Sequence, residues 1–253
     1  MCCFTGKVEE VRNTRIFARL DGRGSQMLIY QMALRVAQEV AMVLPIPVRA
    51  ATGEDAVRFF SFAAYADVFA DLHSLFPVPR AAFGMAEPFG APASAASAPI
   101  LKVHSVGAYD ASFVPSIADF SRLDERFRLP NQVWEKLPGY REFGFAVFKL
   151  KGGDFEAHPM AFLFPTARVD QLFFPTLHIH DGEVHEQEEF DHTLYCQALR
   201  QNLSNWRESP RPPLGEVKCG LTHGMIVPAQ HVYRRIIQGR NTNGDFLVKP
   251  RLA

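Results

Sequence analysis

Ile16-Phe17-Ala18-Arg19-Leu20 runs straight into Asp21-Gly22-Arg23-Gly24, and a second apolar run, Gln26 to Leu34, follows at once. The first stretch has the residue types of a strand, and the glycines supply the positive φ that a tight reversal needs. Gln26 to Leu34 is apolar at both odd and even positions, the pattern of a strand covered on both faces. Val40 to Leu44 is a third run, closed by Pro45-Ile46-Pro47. Those prolines withhold amide donors and so mark a strand end or an edge. Residues 14–48 are therefore predicted as a β-meander. The chain as a whole is predicted as α+β, one domain over residues 1–253 built on antiparallel sheet with a few short helices.

Outward from the meander, Phe145 to Leu150 and Met160 to Phe164 flank Lys151-Gly152-Gly153-Asp154, which reads as a hairpin. Ile100 to Val106 and Leu172 to His180 read as further strands. Tyr65, Val68, Phe69, Leu72 and Phe76 fall at helical spacing, which predicts a helix within 63–76. Short helices are also expected at Ile117 to Phe127 and, after Pro130, at Asn131 to Leu137. Phe190 to Leu203 reads as a helix, and Val232 to Ile237 as a strand or short helix. The stretch Pro77 to Pro99 is rich in Ala, Pro, Ser and Gly, and a mobile loop is expected at about 85–99.

Composition narrows the function classes. Lys plus Arg is 27 and Asp plus Glu is 27, so the net charge is zero and no surface-wide attraction for a polyanion is expected. No run reaches the ~18 apolar residues of a membrane span. The start, Met1-Cys2-Cys3-Phe4-Thr5-Gly6, lacks a basic region followed by an apolar one. The expectation is a cytoplasmic chain with no nucleic-acid or membrane partner, whose four cysteines stay reduced.

Cys2-Cys3-Phe4, the strand Arg15-Ile16-Phe17-Ala18, the run Ala41 to Pro47, Gly144 to Leu150 and Pro159 to Pro175 together resemble an uncharacterised bacterial family with a cysteine-containing head. Members of that family often carry an export signal, from which this chain departs. The resemblance implies a strand-rich body and no particular activity.

The most chemically suggestive stretch is Leu172 to His185. Asp181-Gly182 between strand-like runs is a strong signal for a two-residue hairpin turn. In that register His178 would pair with His185 and His180 with Glu183, placing all four side chains on one face. Three imidazoles and an optional carboxylate suit a divalent transition metal such as zinc, iron or copper. His178, His180 and His185 are thus candidate ligands, with Glu183 a candidate ligand or base for hydrolytic or redox chemistry. The competing reading is a solvated hairpin tip. Two other readings stay open. Removal of Met1 would expose Cys2, whose α-amine could activate its thiol, as in N-terminal-nucleophile amidohydrolases. A non-catalytic protein-interaction module is the third. The pairs His192/Cys196 and Cys219/His223, each four apart, are minor candidate ligand pairs.

Overall fold

The computed structural model describes residues 3–77, 101–106, 109–198, 203 and 205–249. The loop expected at 85–99 lies outside them. Strand β1 (Cys3–Phe4) is followed by β2 (Glu10–Leu20), β3 (Ser25–Val36), β4 (Val40–Ile46), β5 (Arg58–Ser61) and helix α1 (Val68–Ser74). Next come β6 (His104–Val106), β7 (Tyr109–Val114), two 3₁₀ segments within Ile117–Phe127, and helix α2 (Asn131–Glu135). The rest is β8 (Gly144–Leu150), β9 (Gly153–Glu156), β10 (Met160–Pro165), β11 (Leu172–Phe174), β12 (Gln187–Gln197), β13 (Arg207–Glu208), β14 (Tyr233–Thr242) and β15 (Phe246–Val248).

The three strands form where the sequence indicates and β2 pairs with β3, but they make no meander, because β4 pairs with β8 instead of β3. At the first reversal Gly22 and Gly24 take φ of 75° and 90°, and the Asp21 carboxylate accepts from the amides of Arg23 and Ser25 at 2.7 and 2.8 Å. The three strands then part company. β2 and β3 stay together in an eight-stranded sheet of order β13-β14-β12-β2-β3-β10-β5, with β9 also on β3. β4 crosses to a five-stranded sheet, β1-β4-β8-β7-β6. Beside Pro45 the strand is edge-like, because β1 reaches only Val43 and Met42. Among the described residues every pairing of two named strands is antiparallel except β12 on β2, which is parallel. The body is thus β-rich with few, short helices.

The two sheets pack face to face. Leu28, Tyr30, Met32 and Leu34 of β3 share one core with Met42 and Leu44 of β4 and with Phe148 and Phe162. The intervening residue Ile29 faces the other way, into a layer where Phe17 and Tyr195 meet Val68, Phe69 and Leu72 of α1. The outer face of the smaller sheet is covered by Phe120, Val133 and Trp134. Hence both faces of the large sheet's central strands are apolar: each is buried against a different layer.

Three further expectations need correction. The glycine-rich reversal at 151–154 does not pair its flanks: β8 joins β4 and β7, whereas β10 joins β3 and β5. The turn instead hands the chain from one sheet to the other by way of β9. Of the helix expected over Phe190 to Leu203, residues 190–197 are strand instead, and 199–202 lie outside the described residues. The apolar spacing of four is even, so the same residues share a face of a strand, and β12 uses it that way. The resemblance to a bacterial family with a cysteine-containing head also fails, on the comparisons reported below.

Gly144, the first residue of β8, sits where no side chain fits. A Cβ there would meet the Phe113 ring at 2.5 and 2.7 Å and Val48 at 3.0 Å. Phe113 is itself buried and has no open space to retreat into. Gly144→Ala is expected to lower stability by about 1–3 kcal/mol by overpacking, measured as a shift of the urea midpoint at constant slope.

Candidate functional site

The segment after β11 departs from the expected hairpin in an instructive way. Pro175 ends the strand, and β11 pairs with β15 rather than with residues 183–186. The backbone amides that follow are taken up by side chains from the turn ahead of β15. Asp245 Oδ1 accepts from Thr176 and Leu177 at 2.9 and 3.1 Å, and Asn243 Oδ1 accepts from His178 at 2.8 Å. Asn243 Nδ2 donates to the carbonyls of His178 and His185 at 2.9 and 3.0 Å. One asparagine thus ties both ends of the arm 178–185. The turn itself is real: Gly182 has φ of 84°, and Asp181 Oδ1 accepts from the Glu183 amide. Its flanks, however, do not form a ladder.

The consequence for the four candidate residues is separation. His178 and His180 stack, with ring centroids 5.4 Å apart and planes 23° from parallel. His178 also stacks on His192 of β12 at 5.2 Å and 19°, and on Phe190 at 4.2 Å. His185 turns to solvent and contacts Asp181, 3.0 Å from Nε2 to Oδ2. Glu183 forms an exposed ion pair with Lys136. Imidazole lone pairs lie in the ring plane, so near-parallel rings present their nitrogens side by side and do not converge on one ion. Among the described residues no group of three His, Cys, Asp or Glu is arranged to hold a metal. The metal-binding reading of His178, His180 and His185 is therefore overturned, together with the hydrolytic or redox role drawn from it.

What stands there instead is a column of aromatic and imidazole rings beneath the arm. His178 and His192 are buried, at 0% and 1% exposure. Burial drives the pKa of His178 far down, that of His192 well below its ordinary value, and that of His180 to about 4. These rings are neutral at pH 7 and pack as apolar plates. Among the described residues neither nitrogen of His178 has a hydrogen-bond partner. The exposed pair behaves oppositely. The hydrogen bond to Asp181 raises His185, and the same contact lowers Asp181. Beside the arm lies an open cleft of about 870 Å³, where Lys7 and Arg240 mix with Asp181, Glu186 and Glu188.

Cys2 lies outside the described residues. Cys196 is buried, and burial pushes its thiol up. His192 and Cys196 do share a face, but of a strand, and in the core. Cys219 sits in a 3₁₀ turn, while His223 stacks against Phe60 and Phe62. Residues that mattered more, Phe190, Asn243 and Asp245, carried one local signal, the Asn243-Gly244 turn. The roles of Asn243 and Asp245 arise from contacts 65 to 69 residues away in sequence.

No family model matches the chain, and no curated protein matches it. Solved structures do. A mutated baculovirus P35 after caspase cleavage, at 2.7 Å resolution, superposes with a TM-score of 0.50 at 11% identity, covering 94% of this chain and 99% of that one. Baculovirus P35 itself gives 0.48 at 12% identity over 98% and 99%. P35 in a caspase-8 complex gives 0.48 at 11% over 94% and 96%. The match at 0.50 replaces the bacterial family suggested by the sequence, and it concerns architecture: the chain has a fold like that of P35.

Proposed function

We propose that this protein is a non-catalytic interaction protein whose partner is a cysteine protease of the caspase class. The observation that supports the reading is the shared fold, at a TM-score of 0.50 over 94% of the chain, with a P35 solved after caspase cleavage. At this identity the inference passes through architecture alone, because no P35 residue is carried over. The neutral, buried state of the His178 column is consistent with a structural role for those rings.

The test is direct. The full-length chain is mixed with a panel of purified caspases, caspase-8 included, at equimolar and tenfold molar ratios. Residual peptidase activity is read together with co-elution on gel filtration. The expected result is at least a tenfold loss of activity for one or more of them, with a co-eluting complex. Full activity at tenfold excess and no complex across the panel would remove the reading.

A further inference from the structure

Asn243-Gly244 is the one Asn-Gly pair in the chain. Asparagine is a thermolabile residue, and the cause is intramolecular: the amide nitrogen of the next residue can attack the side-chain carbonyl carbon. Glycine in that next position puts no Cβ in the way. Here the nucleophile is free. Among the described residues the Gly244 N–H makes no hydrogen bond, and a Cβ added to Gly244 would meet nothing within 4 Å.

The electrophile is held. Asn243 Oδ1 accepts from the His178 amide at 2.8 Å, and Nδ2 donates to the His178 and His185 carbonyls at 2.9 and 3.0 Å. These three bonds fix the side chain against the arm and block the rotation that ring closure requires. The backbone is fixed as well. Asn243 N–H donates to the Glu186 carbonyl at 2.9 Å, and the Thr176 hydroxyl donates to the Gly244 carbonyl at 2.7 Å. When residues 178–185 lift, the three side-chain bonds break together, and the pair reacts as it would in an unstructured chain. Docking of the arm thus governs the chemistry.

We propose that Asn243 is a covalent modification site, deamidated by its own backbone, and that the conversion detaches the arm 178–185 irreversibly. Gly244 N forms a bond to Asn243 Cγ while the Cγ–Nδ2 bond breaks. Ammonia leaves, carrying the proton from the Gly244 N–H. Water then opens the succinimide ring at either carbonyl, which gives aspartate or isoaspartate at position 243. Water is the sole co-reactant. Either product inverts the contact, because an ionised carboxylate has no donor. Oxygens would then face the His178 and His185 carbonyls, which now accept from Nδ2. Isoaspartate also lengthens the main chain by one methylene just before Asp245, whose carboxylate holds the Thr176 and Leu177 amides. This inference does not rest on the protease reading, and its test contains no protease.

The full-length protein is held in mildly alkaline buffer at body temperature, and peptide mapping by mass spectrometry follows position 243. The same chain in urea is the unstructured reference. Conversion in the fold should be at least tenfold slower than in urea. His178→Ala and, separately, His180→Ala each empty one place in the ring stack and leave residues 241–247 unaltered. Each should speed native conversion at least threefold, and the use of two variants covers a failure of one to fold. Detachment is read at Phe4, whose N–H donates to the Ile179 carbonyl at 3.0 Å. In Asn243→Asp, and in converted wild type, amide exchange at Phe4 should rise at least tenfold. Conversion as fast in the fold as in urea overturns the proposal. So does a folded histidine variant that converts no faster than wild type. Unchanged exchange at Phe4 in Asn243→Asp overturns the claim that conversion frees the arm.

Discussion

Between pH 7.5 and pH 5.0 the protein should lose about 4 kcal/mol of stability through His178 and His192 alone. In the unfolded chain each imidazole takes up a proton near pH 6.5. In the fold both rings are buried and resist it, having been driven well below that value by desolvation. The unfolded state therefore binds more protons in this window, and stability falls as pH drops below 6.5. Each ring that stays neutral costs about 1.4 kcal/mol per pH unit, or about 2 kcal/mol at pH 5. His180 adds a similar share by pH 5, about 2 kcal/mol, which stops growing below its folded pKa of about 4. His185 runs the other way, because its pKa is raised by Asp181. Its benefit is present below 6.5 and disappears as pH climbs through the folded value, and its exposure keeps it small. Urea denaturation at the two pH values measures the loss. His178→Phe keeps a ring between Phe190 and His192 and removes one titrating group, so its pH dependence should be flatter by about 2 kcal/mol. An identical pH dependence in wild type and variant would show that the column is not what titrates.

Asp245 carries the second large effect. Its carboxylate accepts from the amides of Thr176 and Leu177 and from the Tyr140 hydroxyl, the last at 2.8 Å. Asp245→Ala removes the two oxygens that accept these three bonds and leaves two backbone donors without partners, at about 1–3 kcal/mol for each unsatisfied group. A loss of about 3–5 kcal/mol is expected, with faster amide exchange at Thr176 and Leu177. Asp245→Asn keeps one carbonyl oxygen for the amides, and Tyr140 can accept from the new NH₂. It should cost about 1 kcal/mol. Equal losses for the two variants would show that the contact is electrostatic rather than one of hydrogen-bond complementarity.

How far the sequence was legible follows from the range of each determinant. β2, β3 and the reversal between them are set by neighbours within ten residues: alternation of side chains, an Asp that caps the turn and two glycines at positive φ. They could be read directly. β12 could not be assigned from spacing, because an interval of four falls on one face of a helix and equally on one face of a strand. Only its pairing with β14 and β2 decides, and those partners are distant in sequence. The arm at 178–185 divides in the same way. Asp181 and Gly182 do make a tight turn, as their residue types dictate. Whether its flanks pair was decided by Asn243 and Asp245, which satisfy the amides a second strand would have bonded. The metal proposal depended on that pairing and fell with it. The stacking of His178 on His192 is likewise a product of tertiary contact, with no signature in local order.

The one parallel strand pairing among the described strands, β12 on β2, joins Thr14–Arg19 to His192–Gln197. During synthesis the amino-terminal hairpin leaves the ribosome long before its neighbour exists, so one flank of β2 waits bare while more than 170 further residues are made. Chain order thus imposes a late, long-range closing step, of the kind that slows folding and leaves nascent chains open to aggregation. Nascent chains with fewer than 187 residues outside the ribosome should bind chaperones strongly, and those with more than 206 outside should release them.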